Sequence, residues 1–133
     1  MCGANACWVE GTLEDANVEV DLGGGWSCFR ADDHFKSQHS NPKRMGYCDG
    51  IAVRSQGNSQ AARLLELKRS VDIGKAKQQL RKGAELLLCE LQLDGISLSA
   101  EHHVPAGPKN TLRPVKPMTV CSRKVTFTIY IRD

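Results

Sequence analysis

The sequence predicts one mixed α/β domain over residues 1–133, built as a mixed central β-sheet with one long helix. Three observations predict it. Segments before residue 70 alternate apolar and polar with a period of two, residues 70–91 change to a period of 3.6, and the alternation of two returns after residue 95. A chain of this length holds a single core and is short for two.

Residues 17–31, "NVEVDLGGGWSCFRA", alternate on both sides of a triple glycine and predict two strands joined by a turn. Residues 32–46 have no sustained period and contain Asn-Pro, which marks a loop. "YCDGIAV" is a strand, "RSQGNSQ" a turn and "ARLLELKRS" the next strand. Ile73, Ala76, Leu80, Ala84, Leu87 and Leu91 then form one stripe, with Lys75, Gln79, Lys82 and Glu85 away from it. This helix starts at Ser70 or Asp72, either of which can cap, and ends before Asp94-Gly95. "ISLSAEHHV" is a strand, "PAGPKNTLRPVKP" a loop holding four of the five prolines, and "KVTFTIYIR" the final strand.

Composition excludes some classes and leaves others open. The longest apolar run is far short of the ~20 residues that cross a bilayer, so no membrane partner is expected. The N-terminal "MCGANACWVEGTLED" has neither the basic region nor the apolar core of a signal peptide, which predicts a cytoplasmic protein with mostly reduced cysteines. Residues 1–33 hold seven acids and one base, net −6, whereas residues 34–133 hold 17 bases and eight acids, net +9. Such asymmetry fits a basic surface for a polyanion, and equally charges scattered over a wet surface. Lys75, Lys77, Arg81 and Lys82 are candidate nucleic-acid contacts on the helix, or simply its solvated face. Lys109, Arg113 and Lys116 add a second basic stretch in the proline-rich loop.

The chemistry-bearing pattern is Asp49 followed by Glu66-Leu67-Lys68. In a strand Leu65 and Leu67 point one way while Glu66 and Lys68 share the other face, about 7 Å apart. If the two strands form a hairpin, Asp49 lies opposite the Glu66 end. Two carboxylates and a backbone carbonyl, that of Leu67, suit octahedral Mg²⁺. A neighbouring lysine can position or deprotonate a bound water and offset charge developing on a phosphate.

"CDGIAV", "LLELKRS" and "DIGKAKQQLRKGAELLL" together resemble the core of the restriction-endonuclease-like PD-(D/E)XK nuclease superfamily, over about residues 46–91. The resemblance implies a restriction-endonuclease-like sheet, with Asp49 and Glu66 as ligands for Mg²⁺ or Mn²⁺, Lys68 as the catalytic lysine, and Gln79 or Gln78 as a helix glutamine that joins the site. It implies phosphodiester hydrolysis, of DNA in most members, although some members have lost catalysis. Cys48 replaces the proline of the family name, and no amphipathic helix precedes the first strands. Glu10, Glu14 and Glu19 are the candidates for a further upstream acid.

Two other classes stand beside the nuclease. One is an inactive domain of the same fold that binds nucleic acid or protein within a larger assembly. The other is a small zinc-stabilised interaction protein, from Cys2-x4-Cys7, His34-x4-His39, Cys28 and Cys48, for which burial of small thiols is the plainer explanation. His102-His103 ends a strand and offers a candidate general base. Cutting both strands of a duplex from one small site would call for a homodimer.

Overall fold

The computed structural model describes residues 8–10, 12–15, 18–30, 48–90, 95–108 and 110–132. Nine strands are formed among them: β1 (Trp8–Glu10), β2 (Thr12–Asp15), β3 (Val18–Asp21), β4 (Ser27–Phe29), β5 (Gly50–Gln56), β6 (Ser59–Leu67), β7 (Ile96–Pro105), β8 (Met118–Val120) and β9 (Arg123–Arg132). One helix, α1 (Ile73–Glu85), continues into a π-helical turn, Leu86–Glu90. The main sheet has the order β1-β4-β5-β6-β7-β9-β8, and β2-β3 form a separate pair. Pairing is antiparallel from β1 to β6, parallel between β6 and β7 and between β7 and β9, and antiparallel for β8 with β9. The architecture is therefore mixed α/β, as the sequence patterning predicts.

The centre of the sheet is the β5–β6 hairpin, in register from Gln56↔Ser59 to Gly50↔Leu65. Its turn is shorter than the seven residues expected, because Gly57 adopts φ 57° and closes the strands through Gly57-Asn58 alone. A parallel partner then requires a crossover, which α1 supplies. Asp72 caps it: its Oδ1 accepts from the Lys75 N–H at 3.1 Å, an interaction worth about 1 kcal/mol. The regular helix stops at Glu85, earlier than the apolar stripe predicts, and Leu86 and Leu87 are buried from the π-helical turn instead. Leu91 and Asp94 lie outside the described residues.

The two faces of the sheet have separate covers. Leu64, Ile51, Ala100, Phe127 and Ile129 pack with Ala76, Leu80 and Ala84 of α1. Ala52, Leu65, Leu67 and Cys28 pack with Val18, Val20 and Leu22. The alternation of β3 thus buries against the main sheet and does not extend it. Residues 17–31 consequently do not form the single hairpin expected: β3 pairs with β2, while β4 enters the main sheet between β1 and β5. Gly23 and Gly25, at φ 79° and 84°, let the chain change layers.

At the far end of α1, Cys89 and Cys121 are joined as a disulfide, with Cα atoms 6.3 Å apart, where the sequence predicts mostly reduced thiols. Cys121 and Ser122, at φ 49° and 64°, form the two-residue turn between β8 and β9. Both central residues at positive φ is the geometry that matches strand twist in such hairpins. Among the described residues no helix is long and apolar enough to cross a membrane.

Candidate metal and catalytic centre

Asp49 and Glu66 meet at the end of the β5–β6 hairpin, one step beyond the Gly50↔Leu65 pair. Two reciprocal hydrogen bonds hold them. The Asp49 N–H donates to Glu66 Oε1 at 3.1 Å, and the Leu67 N–H donates to Asp49 Oδ2 at 2.7 Å. Each carboxylate thereby completes the ladder where the strands part, and the two acids become neighbours. Lys68 Nζ lies 3.2 Å from Glu66 Oε2. Asp49, Glu66 and Lys68 are thus brought together as the strand parity predicts.

Burial sets the electrostatics. Glu66 is only 1% exposed, on the α1 side of the sheet with Leu64. Loss of water pushes its carboxyl up to about 8, Asp49 pushes the same way, and Lys68 only partly offsets both. A carboxylate in this position favours whatever places a second positive charge beside it. In an extended strand the N–H and C=O of one residue point to the same side. The Leu67 carbonyl therefore faces the side on which its N–H meets Asp49.

Gln79 is half-buried on α1. It lies one turn before Gly83 on the same side of α1, and a side chain at Gly83 would meet Cys48 Sγ at 2.7 Å and Leu64 Cδ2 at 3.4 Å. Cys48 adjoins Asp49 and Leu64 lies two residues before Glu66, so α1 packs at Gly83 against the segments that carry the acid pair. Oε1 of Gln79 is buried without a hydrogen-bond partner among the described residues. Gln78 is exposed. Two carboxylates, a backbone carbonyl and an orphaned amide oxygen are all hard donors and fit a Mg²⁺ or Mn²⁺ ion. No group of three or more His, Cys, Asp or Glu with metal-holding geometry occurs among the described residues.

His102 belongs to this centre. It is wholly buried on β7 beside Glu66, its parallel partner. Its Nε2 accepts from the Asp72 N–H at 3.2 Å, so the proton sits on Nδ1, which donates to the Glu66 carbonyl at 3.3 Å. Burial lowers its pKa and keeps the ring neutral. The ring thus ties the strand carrying Glu66 to the cap of the helix carrying Gln79. The sequence offers one clue, two histidines at the end of a strand, but the pairing partner across a crossover is not local information.

His103 points to the other face and has the opposite tautomer. Its Nδ1 accepts from Arg132 Nε at 3.1 Å while Nε2 donates to Glu101 Oε1 at 2.9 Å. Arg63 grips the same carboxylate with two bonds, of 2.6 and 2.8 Å. Burial would raise the Glu101 carboxyl, but the hydrogen bonds from Arg63 and His103 outweigh it and bring it down to about 2. Tyr130 stacks on His103 at 4.7 Å, and the Arg63 and Arg54 guanidinium groups lie over Trp26 at 5.2 and 4.6 Å. These polar groups are matched to one another and staple β5, β6, β7 and β9 together.

The remaining candidates are dispersed. Lys75 is exposed at the start of α1. Lys77 lies 5.6 Å over the Phe127 ring, and the Arg81 guanidinium donates to the Thr119 carbonyl at 2.7 Å. Lys82 is half-buried. Glu19 is exposed on the β2–β3 layer, which covers the face opposite Glu66, so it does not join the acid pair. Only the backbone of Glu10 and Glu14 is described. Of the zinc candidates, Cys28 and Cys48 are buried, and burial pushes the Cys28 thiol up to about 11, the state of a packed neutral thiol. Cys2, Cys7, His34 and His39 lie outside the described residues.

Comparison with protein-family models, curated proteins and solved structures finds no match.

Proposed function

We propose that this chain is a metal-dependent nuclease of restriction-endonuclease-like architecture, hydrolysing phosphodiester bonds, with DNA as the favoured substrate. The observation that carries the reading is the Asp49–Glu66 pair, locked by reciprocal hydrogen bonds with Lys68 3.2 Å from Glu66. Strand parity supports it, because the hairpin carries Asp49, Glu66 and Lys68 to one end of the sheet.

Asp49, Glu66 and the Leu67 carbonyl would hold Mg²⁺ or Mn²⁺, with Gln79 supplying a further oxygen. When bound, the ion supplies Lewis-acid activation of water and neutralises phosphate charge. The chain's own residues do the rest. Asp49 and Glu66 are oriented by backbone N–H groups, so their geometry does not depend on side-chain packing alone. Lys68, 23% exposed, stands where its ammonium can hold the attacking water and face the charge that develops on the phosphate. His102 keeps the end of β6 and the start of α1 in fixed relation.

The test is incubation of the protein with supercoiled, linear and single-stranded DNA, and with RNA, in Mg²⁺, Mn²⁺ and EDTA. Cleavage that requires the cation and falls by orders of magnitude in Lys68→Ala, with cation affinity retained, is the expected result. Normal cleavage by Lys68→Ala would make that residue a surface lysine and overturn the mechanism. Binding without cleavage in any cation would leave the inactive module of the same fold.

A further inference from the structure

The loop between β7 and β8, residues 106–117, is held at both ends and presents its middle to solvent. Asn110 holds the first end. Its Nδ2 donates to the carbonyls of Pro105 and Arg69 at 2.9 and 3.1 Å, its Oδ1 accepts from the Val71 N–H at 3.0 Å, and its own N–H closes a turn onto Gly107 at 3.0 Å. Val115 holds the second end by packing against the main core. Between these anchors Leu112 is 71% exposed, the most exposed large hydrophobic residue described.

Three features distinguish this tip from an ordinary solvent-facing leucine. First, Pro108, Pro114 and Pro117 restrict the backbone around it, so the leucine is held out by a stiff loop. Second, residues 106–117 contain Lys109, Arg113 and Lys116 and no acid; Arg113 and Lys116 are exposed, and Lys109 lies outside the described residues. Third, the clamp lands on Arg69 and Val71, directly after Lys68, so the tip is fastened to the segment that leaves the candidate catalytic centre.

We propose that the Leu112–Arg113 tip is a wedge for duplex nucleic acid: Leu112 enters between base pairs from the groove, and Arg113 and Lys116 hold the flanking phosphates. The proposal rests on the nuclease reading for its choice of ligand. A single exposed apolar side chain with two exposed cations close after it in the loop suits insertion at a base step, which one leucine can unstack. Protein docking surfaces use a contiguous apolar patch of several residues, and the neighbours of Leu112 in the chain, Thr111 and Arg113, are polar. The wedge would distort the duplex next to the bond to be cut.

The experiment uses the full chain in EDTA, where cleavage cannot occur, and duplex DNA carrying 2-aminopurine at successive positions. Wild type at saturation is expected to raise the fluorescence at one or more positions. Leu112→Ala is expected to bind within a few-fold of wild type, with an unchanged thermal midpoint, but without that rise. Asn110→Ala, which frees the loop and keeps the leucine, is expected to reduce the rise. Arg113→Ala and Lys116→Ala are expected to weaken binding and to lower the slope of log affinity against log salt by about one unit each. A rise that persists in Leu112→Ala, or wild-type binding with no rise at any position, overturns the wedge. Wild type that neither binds nucleic acid in EDTA nor cleaves it in Mg²⁺ or Mn²⁺ overturns the nuclease reading as well, whereas cation-dependent cleavage with unaltered Leu112→Ala fluorescence removes the wedge alone. A change of sedimentation in Leu112→Ala, with DNA fluorescence as in wild type, assigns the tip to self-association and rejects the proposal.

Discussion

Replacing Glu66 by glutamine keeps the shape of the side chain and removes its titration, so the difference between the two proteins isolates one proton. The unfolded carboxyl ionises near the ordinary 4.5, and the folded one, raised by burial and by Asp49, near about 8. Between those values the native state keeps a proton that the unfolded state has released. Wild-type stability therefore falls as pH rises through this window, by up to about 1.4 kcal/mol per unit. The whole interval amounts to on the order of a few kcal/mol. Glu66→Gln lacks this slope, while the buried histidines and Glu101 titrate alike in both proteins and cancel in the comparison. Urea unfolding in EDTA at pH 5.5, 7 and 8.5 is expected to show the variant gaining on wild type at each step. Added Mg²⁺ replaces the proton, so it is expected to stabilise wild type more at pH 8.5 than at pH 6 and to leave Glu66→Gln nearly unmoved. Parallel pH curves for the two proteins in EDTA would refute the argument, because Glu66 would then ionise as if solvated.

Gly83→Ala is expected to destabilise by about 1–3 kcal/mol through overpacking, although alanine is the better helix former by about 1 kcal/mol, because its methyl would meet Cys48 Sγ at 2.7 Å. Adding Cys48→Ala removes that sulfur, and thermal denaturation of the double variant is expected to recover most of the loss. Glu101→Gln leaves the Arg63 guanidinium, with a side chain 20% exposed, without its counter-charge, and is expected to cost about 3 kcal/mol at neutral pH. The Glu101 carboxyl is depressed to about 2, so the stability it contributes is present above its unfolded value near 4.5 and is lost as pH falls toward 2. Acid titrations followed by circular dichroism are expected to show wild type and Glu101→Gln converging over that range.

What the sequence conveys about this fold depends on how local each interaction is. Period-two alternation places Leu65 and Leu67 on one face and Glu66 on the other, and a glycine at the turn is enough to bring Asp49 opposite, because these residues are separated by a hairpin alone. The helix start is equally legible, since Asp72 caps its own next turn. The roles of His102 and His103 are not legible, because their partners arrive through a crossover and through the parallel pairing of β7 with β9. Alternation in residues 18–21 shows that one face is buried but not against which layer, so β3 was expected beside β4 and lies in another sheet. β1 and β2 carry too few residues for a period to declare itself. The early end of α1 escapes the pattern as well, because a π-helical turn keeps Leu86 and Leu87 buried while the helical bonding changes.

The locality of the β5–β6 hairpin also leads to an expected order in which Glu66 loses water. Asp49 and Glu66 are 17 residues apart across a two-residue turn, whereas Glu66 and His102 are 36 apart and joined through α1. Closing the longer loop costs more entropy and comes later. The acid pair is therefore expected to form while still hydrated, with the docking of β7 and α1 sealing it afterwards. Ionisation of Glu66 then weakens contacts made after the hairpin, and such contacts govern escape from the native state more than entry to it. Alkaline conditions should accordingly shorten the lifetime of the folded protein while leaving its rate of formation nearly constant.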